Sequence, residues 1–192
     1  MYQDLLADAR FHQLLFDFDA DLAATARAGR CALCHSAMHW GNYPRKLRGP
    51  RARLLAEEHC CRFSVCCARR DCRKRKTPPS LRFLGRKAYL AAMVVLIAAM
   101  QQGATAVRVE RLSEMFGVSR RTVDRWRTWW LETFAASPFW QAARVLFMPP
   151  VDQQCLPASL LERFAGGLEE RLVALLRFLG PITGGAVVHA AR

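Results

Sequence analysis

RLSEMFGVSRRTVDRW, residues Arg111 to Trp126, decides how this chain of 192 residues is read. Two apolar-periodic segments meet at Gly117, the residue type that reverses a chain at no steric cost. Leu112 and Phe116 stand five and one before that glycine, and Val118, Val123 and Trp126 stand one, six and nine after it. Ser113, four before it, is the small residue that two crossing helices need at their closest approach. The spacing predicts two helices packed across a tight turn, the arrangement of a helix-turn-helix. Ser119 sits where an N-cap opens the second helix. The outward face of that helix then carries Ser119, Arg120, Arg121, Asp124, Arg125 and Thr128. These are the side chains expected to meet base edges in a major groove, with Arg able to fork onto guanine. Trp126, Trp129, Trp130 and Phe134 follow Val123 at offsets 3, 6, 7 and 11, which is helical core spacing, so packing is expected for all but Trp129.

Upstream of this unit, Ala88–Met100 is an uninterrupted apolar run of 13 residues. A membrane span needs about 20, so the run predicts a buried helix over 86–102 at the centre of a small helical domain. The N-terminus has neither a basic start nor an apolar run, and the expected location is the cytoplasm, with no membrane partner. Residues 3–29 read as one amphipathic helix with a stripe of Leu5, Leu6, Phe11, Leu14, Leu15, Phe18 and Leu22. Its five aspartates have no base or ligand partner in the sequence and are expected to form a solvated acidic face. Downstream, Pro138–Phe147, Pro157–Phe164 and Leu168–Leu179 read as helices, and the tail from Thr183 is expected to fray.

Charge is concentrated. The chain carries 29 Lys+Arg against 16 Asp+Glu, a net +13. Residues 31–90 hold 15 basic and 3 acidic groups, which is +12 of that total. Arginine supplies 25 of the basic residues, and its planar fork grips phosphate oxygens in pairs. A focused cationic segment points to a polyanionic partner, nucleic acid before membrane. The apolar fraction of 52% is enough to bury a core and excludes disorder as the main state.

Seven of the eight cysteines fall between positions 31 and 72. Without an export signal this pattern favours metal over disulfides. Cys31-Ala-Leu-Cys34 has the two-residue gap that aims both thiolates at one ion, and Cys66-Cys67-Ala-Arg-Arg-Asp-Cys72 supplies a second knuckle. Two thiolate pairs make a closed tetrahedral site for one structural zinc ion, softness of sulfur favouring zinc over magnesium or calcium. Arg62–Val65 alternates polar and apolar as a strand does, which puts Phe63, Val65 and Cys67 on one face. The expected ligands are therefore Cys31, Cys34, Cys67 and Cys72, with Cys66 the alternative to Cys67. Cys60, Cys61, His35, His39 and His59 leave a second or mixed site open, although Cys60, Cys61 and Cys155 read more simply as small buried hydrophobes. Between the knuckles, a Gly- and Pro-bounded loop carries Arg45, Lys46, Arg48, Arg51 and Arg53; after them comes Arg73-Lys74-Arg75-Lys76. Both runs are expected to follow a phosphate backbone.

The expected fold is thus mainly α with a small β zinc ribbon. It divides into an amphipathic helix (1–29), the ribbon (30–79), a helix-turn-helix domain (80–136), a C-terminal helical segment (137–182) and a flexible tail (183–192). No Gly-rich phosphate loop, nucleophile elbow or alternation of strands and helices appears, and no enzymatic activity is expected.

The order of ribbon, Pro-rich linker and helix-turn-helix resembles the N-terminal DNA-binding part of insertion-sequence transposases. It is also similar to small zinc-ribbon proteins of bacterial mobile elements. The matching residues are Cys31-x2-Cys34, Asn42–Lys46, Arg62-Phe63 through Cys72, Pro78–Arg86 and Gly117–Val123, within roughly residues 30–135. A transposase catalytic domain is missing. The resemblance therefore implies an accessory or regulatory binder of double-stranded DNA, with a transposase or other mobile-element protein as its partner. A stand-alone transcriptional regulator and an RNA-binding ribbon protein are the competing readings.

Overall fold

Asp8 splits the N-terminal apolar stripe into two helices in a computed structural model of the chain, whose described residues are 2–48, 55–85, 87–101 and 105–184. α1 spans Tyr2–Ala7 and α2 spans Ala9–Ala28. The single helix expected over 3–29 is interrupted because the Asp8 carboxylate accepts the Arg10 backbone N–H at 2.8 Å and caps α2 from extended backbone. α2 turns Phe11, Leu15 and Ala23 inward. The acidic face needs a correction. Asp4, Asp17 and Asp21 are exposed, but Asp19 is only 1% exposed.

Among the described residues, five short strands follow: β1 (Met38–Trp40), β2 (Tyr43–Pro44), β3 (Cys61–Arg62), β4 (Val65–Cys67) and β5 (Arg75–Lys76). β1, β4 and β5 form an antiparallel sheet with β4 in the middle, Met38 opposite Cys67 and Cys66 opposite Arg75. β2 and β3 pair separately. The alternation across 62–65 predicts one strand, yet Phe63 and Ser64 leave the ladder. The Ser64 N–H donates to the Asn42 side chain at 3.0 Å, and its carbonyl accepts the Gly41 N–H at 2.8 Å. Val65 and Cys67 keep the expected face and are both fully buried. The apolar core of this lobe is Cys31, Met38, Val65 and Cys67, too few side chains to hold a fold without a cross-link.

Among the described residues after β5 the regular elements are helices: α3 (Ala91–Met100), α4 (Ala106–Phe116), α5 (Arg120–Thr128), α6 (Pro138–Ala143), α7 (Ala158–Leu161), α8 (Leu168–Phe178) and α9 (Gly180–Thr183). α5 runs on as a π-helical turn over Trp129–Phe134. The helix expected over 86–102 starts later, because Phe83 pairs with Leu90 as a β-bridge and the Ala91 N–H donates to the Arg82 carbonyl. Residues 84, 85 and 87–89 are thereby held outside the helix; Arg86 and Gln102 lie outside the described residues. α3 is buried from Ala91 through Ala98, as a helix apolar on every side must be, and packs against α1, α5, α7 and α8. Leu6, Phe11, Leu96, Ile97, Trp130 and Leu172 belong to one continuous core, so segments 1–29, 80–136 and 137–182 are packed together. Each such side chain contributes about 1.5–3 kcal/mol by leaving water. Among the described residues no helix is long and apolar enough to cross a membrane.

A buried polar network ties the two lobes. Asp19 Oδ1 accepts the Leu81 N–H at 2.6 Å, while Oδ2 accepts the Ser80 hydroxyl at 2.5 Å and Arg82 Nε at 2.9 Å. Arg82 also donates to the carbonyls of His59 (2.7 Å) and Cys61 (2.9 Å), with its guanidinium over the rings of Phe16, Phe63 and Phe83. Arg62, equally buried, donates to the carbonyls of Pro78 and Thr183. Thr183 was expected in a frayed tail; instead its hydroxyl oxygen accepts the Ser80 N–H at 2.8 Å inside the protein. Residues 185–192 of that tail lie outside the described residues.

Candidate functional site

The β1–β4 register brings two chain reversals side by side. In the first, the Cys31 N–H donates to the Ser36 carbonyl and the His35 N–H to the Cys31 carbonyl, both at 2.9 Å. In the second, the Cys72 and Arg73 N–H groups both donate to the Arg69 carbonyl. Each reversal ends on a left-handed residue directly after its second cysteine, His35 at φ 56° and Arg73 at φ 45°. The four thiols of Cys31, Cys34, Cys67 and Cys72 consequently lie within 4.8 Å of one another, with Sγ···Sγ of 3.7 Å for Cys31–Cys72 and 3.4 Å for Cys34–Cys67. None is disulfide-bonded. A tetrahedral ion with metal–sulfur bonds of about 2.3 Å separates its sulfurs by about 3.8 Å, so the cluster fits one such ion with little movement.

Electrostatics point the same way. The Ser36 hydroxyl and backbone N–H lower the Cys34 thiol to about 6, and the backbone N–H groups of Leu33 and Cys34 lower Cys31. Burial pushes Cys67 up to about 12. Against the lowering effect of the Lys74 backbone N–H, burial and the Cys34 and Cys31 thiols also raise Cys72. Two sulfurs thus favour the thiolate and two resist it, a conflict that a bound cation removes. These four cysteines can hold one metal ion, and four protein ligands close the coordination sphere.

Of the alternatives at 66 and 67, it is Cys67 that enters the cluster. Cys66 points the other way along β4 and donates to the Arg73 carbonyl at 3.3 Å. Among the described residues no second group of His, Cys, Asp or Glu is arranged for a metal. Cys60, Cys61 and Cys155 are half-buried rather than core residues. His35 and His39 are exposed; His59 is buried against Phe16, and burial together with nearby Arg82 keeps its pKa below the usual histidine range.

α4 and α5 meet at a three-residue turn. The Val118 N–H donates to the Ser113 carbonyl and the Gly117 N–H to that of Glu114, the paired bonds of a Schellman cap, with Gly117 at φ 59°. Ser119 is extended and its hydroxyl accepts the Thr122 N–H, opening α5. Leu112, Ser113, Phe116, Val118, Val123 and Trp126 are all buried. Arg120, Arg121, Asp124, Arg125 and Thr128 are exposed together on the opposite side of α5, as is Ser119 at its start. Trp130 and Phe134 are core residues and Trp129 is half-buried. A cleft of about 1070 Å³ runs along this face of α5.

The basic runs divide in a way their sequence does not reveal. Lys46 and Arg48 are exposed, but Arg45 is half-buried and donates to the carbonyls of Lys87 (2.8 Å) and Gly85 (3.5 Å). Arg45, expected on phosphate, is therefore an internal brace between the loop after β2 and the segment before α3. Arg51 and Arg53 lie outside the described residues. Arg73, Lys74, Arg75 and Lys76 are all exposed, with Arg75 also donating to the Gly41 carbonyl at 2.8 Å. Lys87, which belongs to neither basic run, also lines the cleft beside α5. A lone lysine next to an apolar run carries no spacing signal. No family model matches the chain, and no match was found among curated proteins or solved structures.

Proposed function

We propose that this chain is a zinc-stabilised, sequence-specific double-stranded DNA-binding protein, an accessory or regulatory factor of a bacterial mobile element. The observation that carries the reading is the exposed face of α5. Three arginines, an aspartate and a threonine stand in water there, while Val123 and Trp126 fasten the helix to the core. In this reading α4 and α5 form a helix-turn-helix whose second helix enters the major groove. The four-cysteine cluster is a zinc ribbon whose ion cross-links a lobe with almost no apolar core. Lys46, Arg48 and the Arg73–Lys76 run hold phosphates. No reaction is assigned to the chain, and its role with a transposase partner rests on the order of the modules.

Fluorescence anisotropy of zinc-loaded protein at two salt concentrations tests this. The probes are a duplex from its own locus, a shuffled duplex and a matched RNA. The native duplex should be preferred at both salts. Arg121→Ala should relax that preference by about 1–3 kcal/mol where a base is read, whereas Lys46→Ala should weaken all duplexes alike. Equal binding of all three probes would remove base reading, an RNA preference would favour the RNA-binding reading, and metal-dependent cleavage of labelled DNA would make the chain an enzyme.

A further inference from the structure

Five cations face one cleft. Arg48 comes from the loop after β2, Lys87 from the loop before α3, and Arg120, Arg121 and Arg125 from α5. The single carboxylate on the lining is Asp124. Among the described residues, no ion pair within 4.0 Å neutralises any of the five. Like charges gathered on a concave wall raise one another's energy, and an anion entering from solvent relieves it.

Lys87 is held in place for such an encounter. Its carbonyl accepts the Arg45 guanidinium at 2.8 Å, and its ammonium sits 4.4 Å from the centre of the Trp129 ring. The contact is with an aromatic face, which orients a cation without neutralising it. Burial, and then Arg125, keep the Lys87 pKa below the ordinary lysine range. Arg48 is anchored beside it, its backbone N–H donating to the Ala88 carbonyl at 2.7 Å. The loop of the cysteine-bearing lobe and the outward face of α5 therefore share one surface.

We propose that Lys87 and Arg48 bind the sugar–phosphate backbone of the strand whose bases α5 reads, so that the two lobes form a single nucleic-acid site. This rests on the DNA-binding reading above and adds a phosphate contact, Lys87, from outside both basic runs. The ligand chemistry is a phosphodiester; the same cations would also attract a free polyphosphate.

The experiment is the salt dependence of duplex affinity for the wild-type protein and for Lys87→Met, Lys87→Arg and Arg48→Gln. Each lost phosphate contact should make the negative slope of log K against log salt shallower by about 0.9. Lys87→Met and Arg48→Gln should both show that loss, Lys87→Arg should retain the wild-type slope, and the preference for native over shuffled duplex should persist in all. Arg48 is exposed, so its variant reports even if Lys87→Met does not fold. An unchanged slope for Lys87→Met in a protein whose wild type does bind duplex overturns this proposal alone, whereas an unchanged slope for Arg48→Gln also removes Arg48 from the phosphate contacts proposed above. Failure of the wild type to bind any duplex overturns the functional reading and this proposal with it. Calorimetric titration with inorganic pyrophosphate distinguishes the other source: Lys87-dependent pyrophosphate binding with an unchanged DNA slope assigns the cleft to a small anion and refutes the backbone contact.

Discussion

Asp19→Ala should be among the most damaging single changes in the chain. Asp19 and Arg82 form an ion pair at 2.9 Å with side chains 0% and 3% exposed. The same carboxylate accepts the Ser80 hydroxyl and the Leu81 N–H, so its removal strips three donors at once. Deleting one member of a buried pair costs about 3–5 kcal/mol, because the remaining charge stays buried without its counter-charge. Here the Arg82 guanidinium keeps two carbonyl acceptors and three aromatic faces. Those contacts offset part of the loss and place the expected cost near the lower end, about 3 kcal/mol. Against a total stability of about 5–15 kcal/mol this is a large fraction. With a urea m-value of about 1–3 kcal/mol/M, the midpoint should fall by about 1–3 M. Equilibrium urea unfolding of metal-loaded protein, followed by tryptophan fluorescence, measures it. Asp19→Asn, which keeps one acceptor oxygen, should fall between wild type and Ala. Asp19→Leu combined with Arg82→Met should recover much of the loss, since replacing both charges removes the unpaired one. A shift for Asp19→Ala below about 0.5 kcal/mol, or a double variant no better than the single, would refute the argument.

Cys31→Ser should abolish stoichiometric zinc binding measured by a chromogenic chelator, while Cys66→Ser should retain one ion per chain; retention in the first variant would break the ligand set. His35→Gly and Arg73→Gly should each stabilise the metal-loaded protein by up to about 1 kcal/mol, because both residues hold left-handed backbone that a Cβ disfavours. A lowered thermal midpoint in either would show that the side chain matters more than the backbone. The buried His59 has a folded-state pKa below its unfolded value of about 6.5, so the unfolded state takes up the proton first. Stability should therefore fall as pH drops below about 6.5 and level off beneath the folded-state pKa. Urea midpoints between pH 7.5 and 5.5 should decline less steeply for His59→Gln than for wild type, and parallel declines would exclude His59 as the source.

What the sequence determined by itself is local. The spacing around Gly117 specifies a helix, a capped turn and a second helix, because i to i+4 periodicity and capping chemistry act within a few residues. The apolar run before it had to be buried wherever it lay, and the cysteine spacing named four residues that the structure brings together. The choice between Cys66 and Cys67 was legible through the two-residue period of a strand, since Val65 and Cys67 share its inner face. Tertiary structure decided the charges. Arg45, Arg62 and Arg82 read like their basic neighbours and Asp19 like the other aspartates, yet each is drawn inside by partners far along the chain. Asp19 meets Ser80, Leu81 and Arg82 at separations of 61 to 63 residues. Lys87 likewise gains its place from Arg45 and Trp129. Periodicity reports which way a side chain points from its own helix or strand; whether water or an opposite charge waits there depends on how distant segments pack, and no local spacing encodes that.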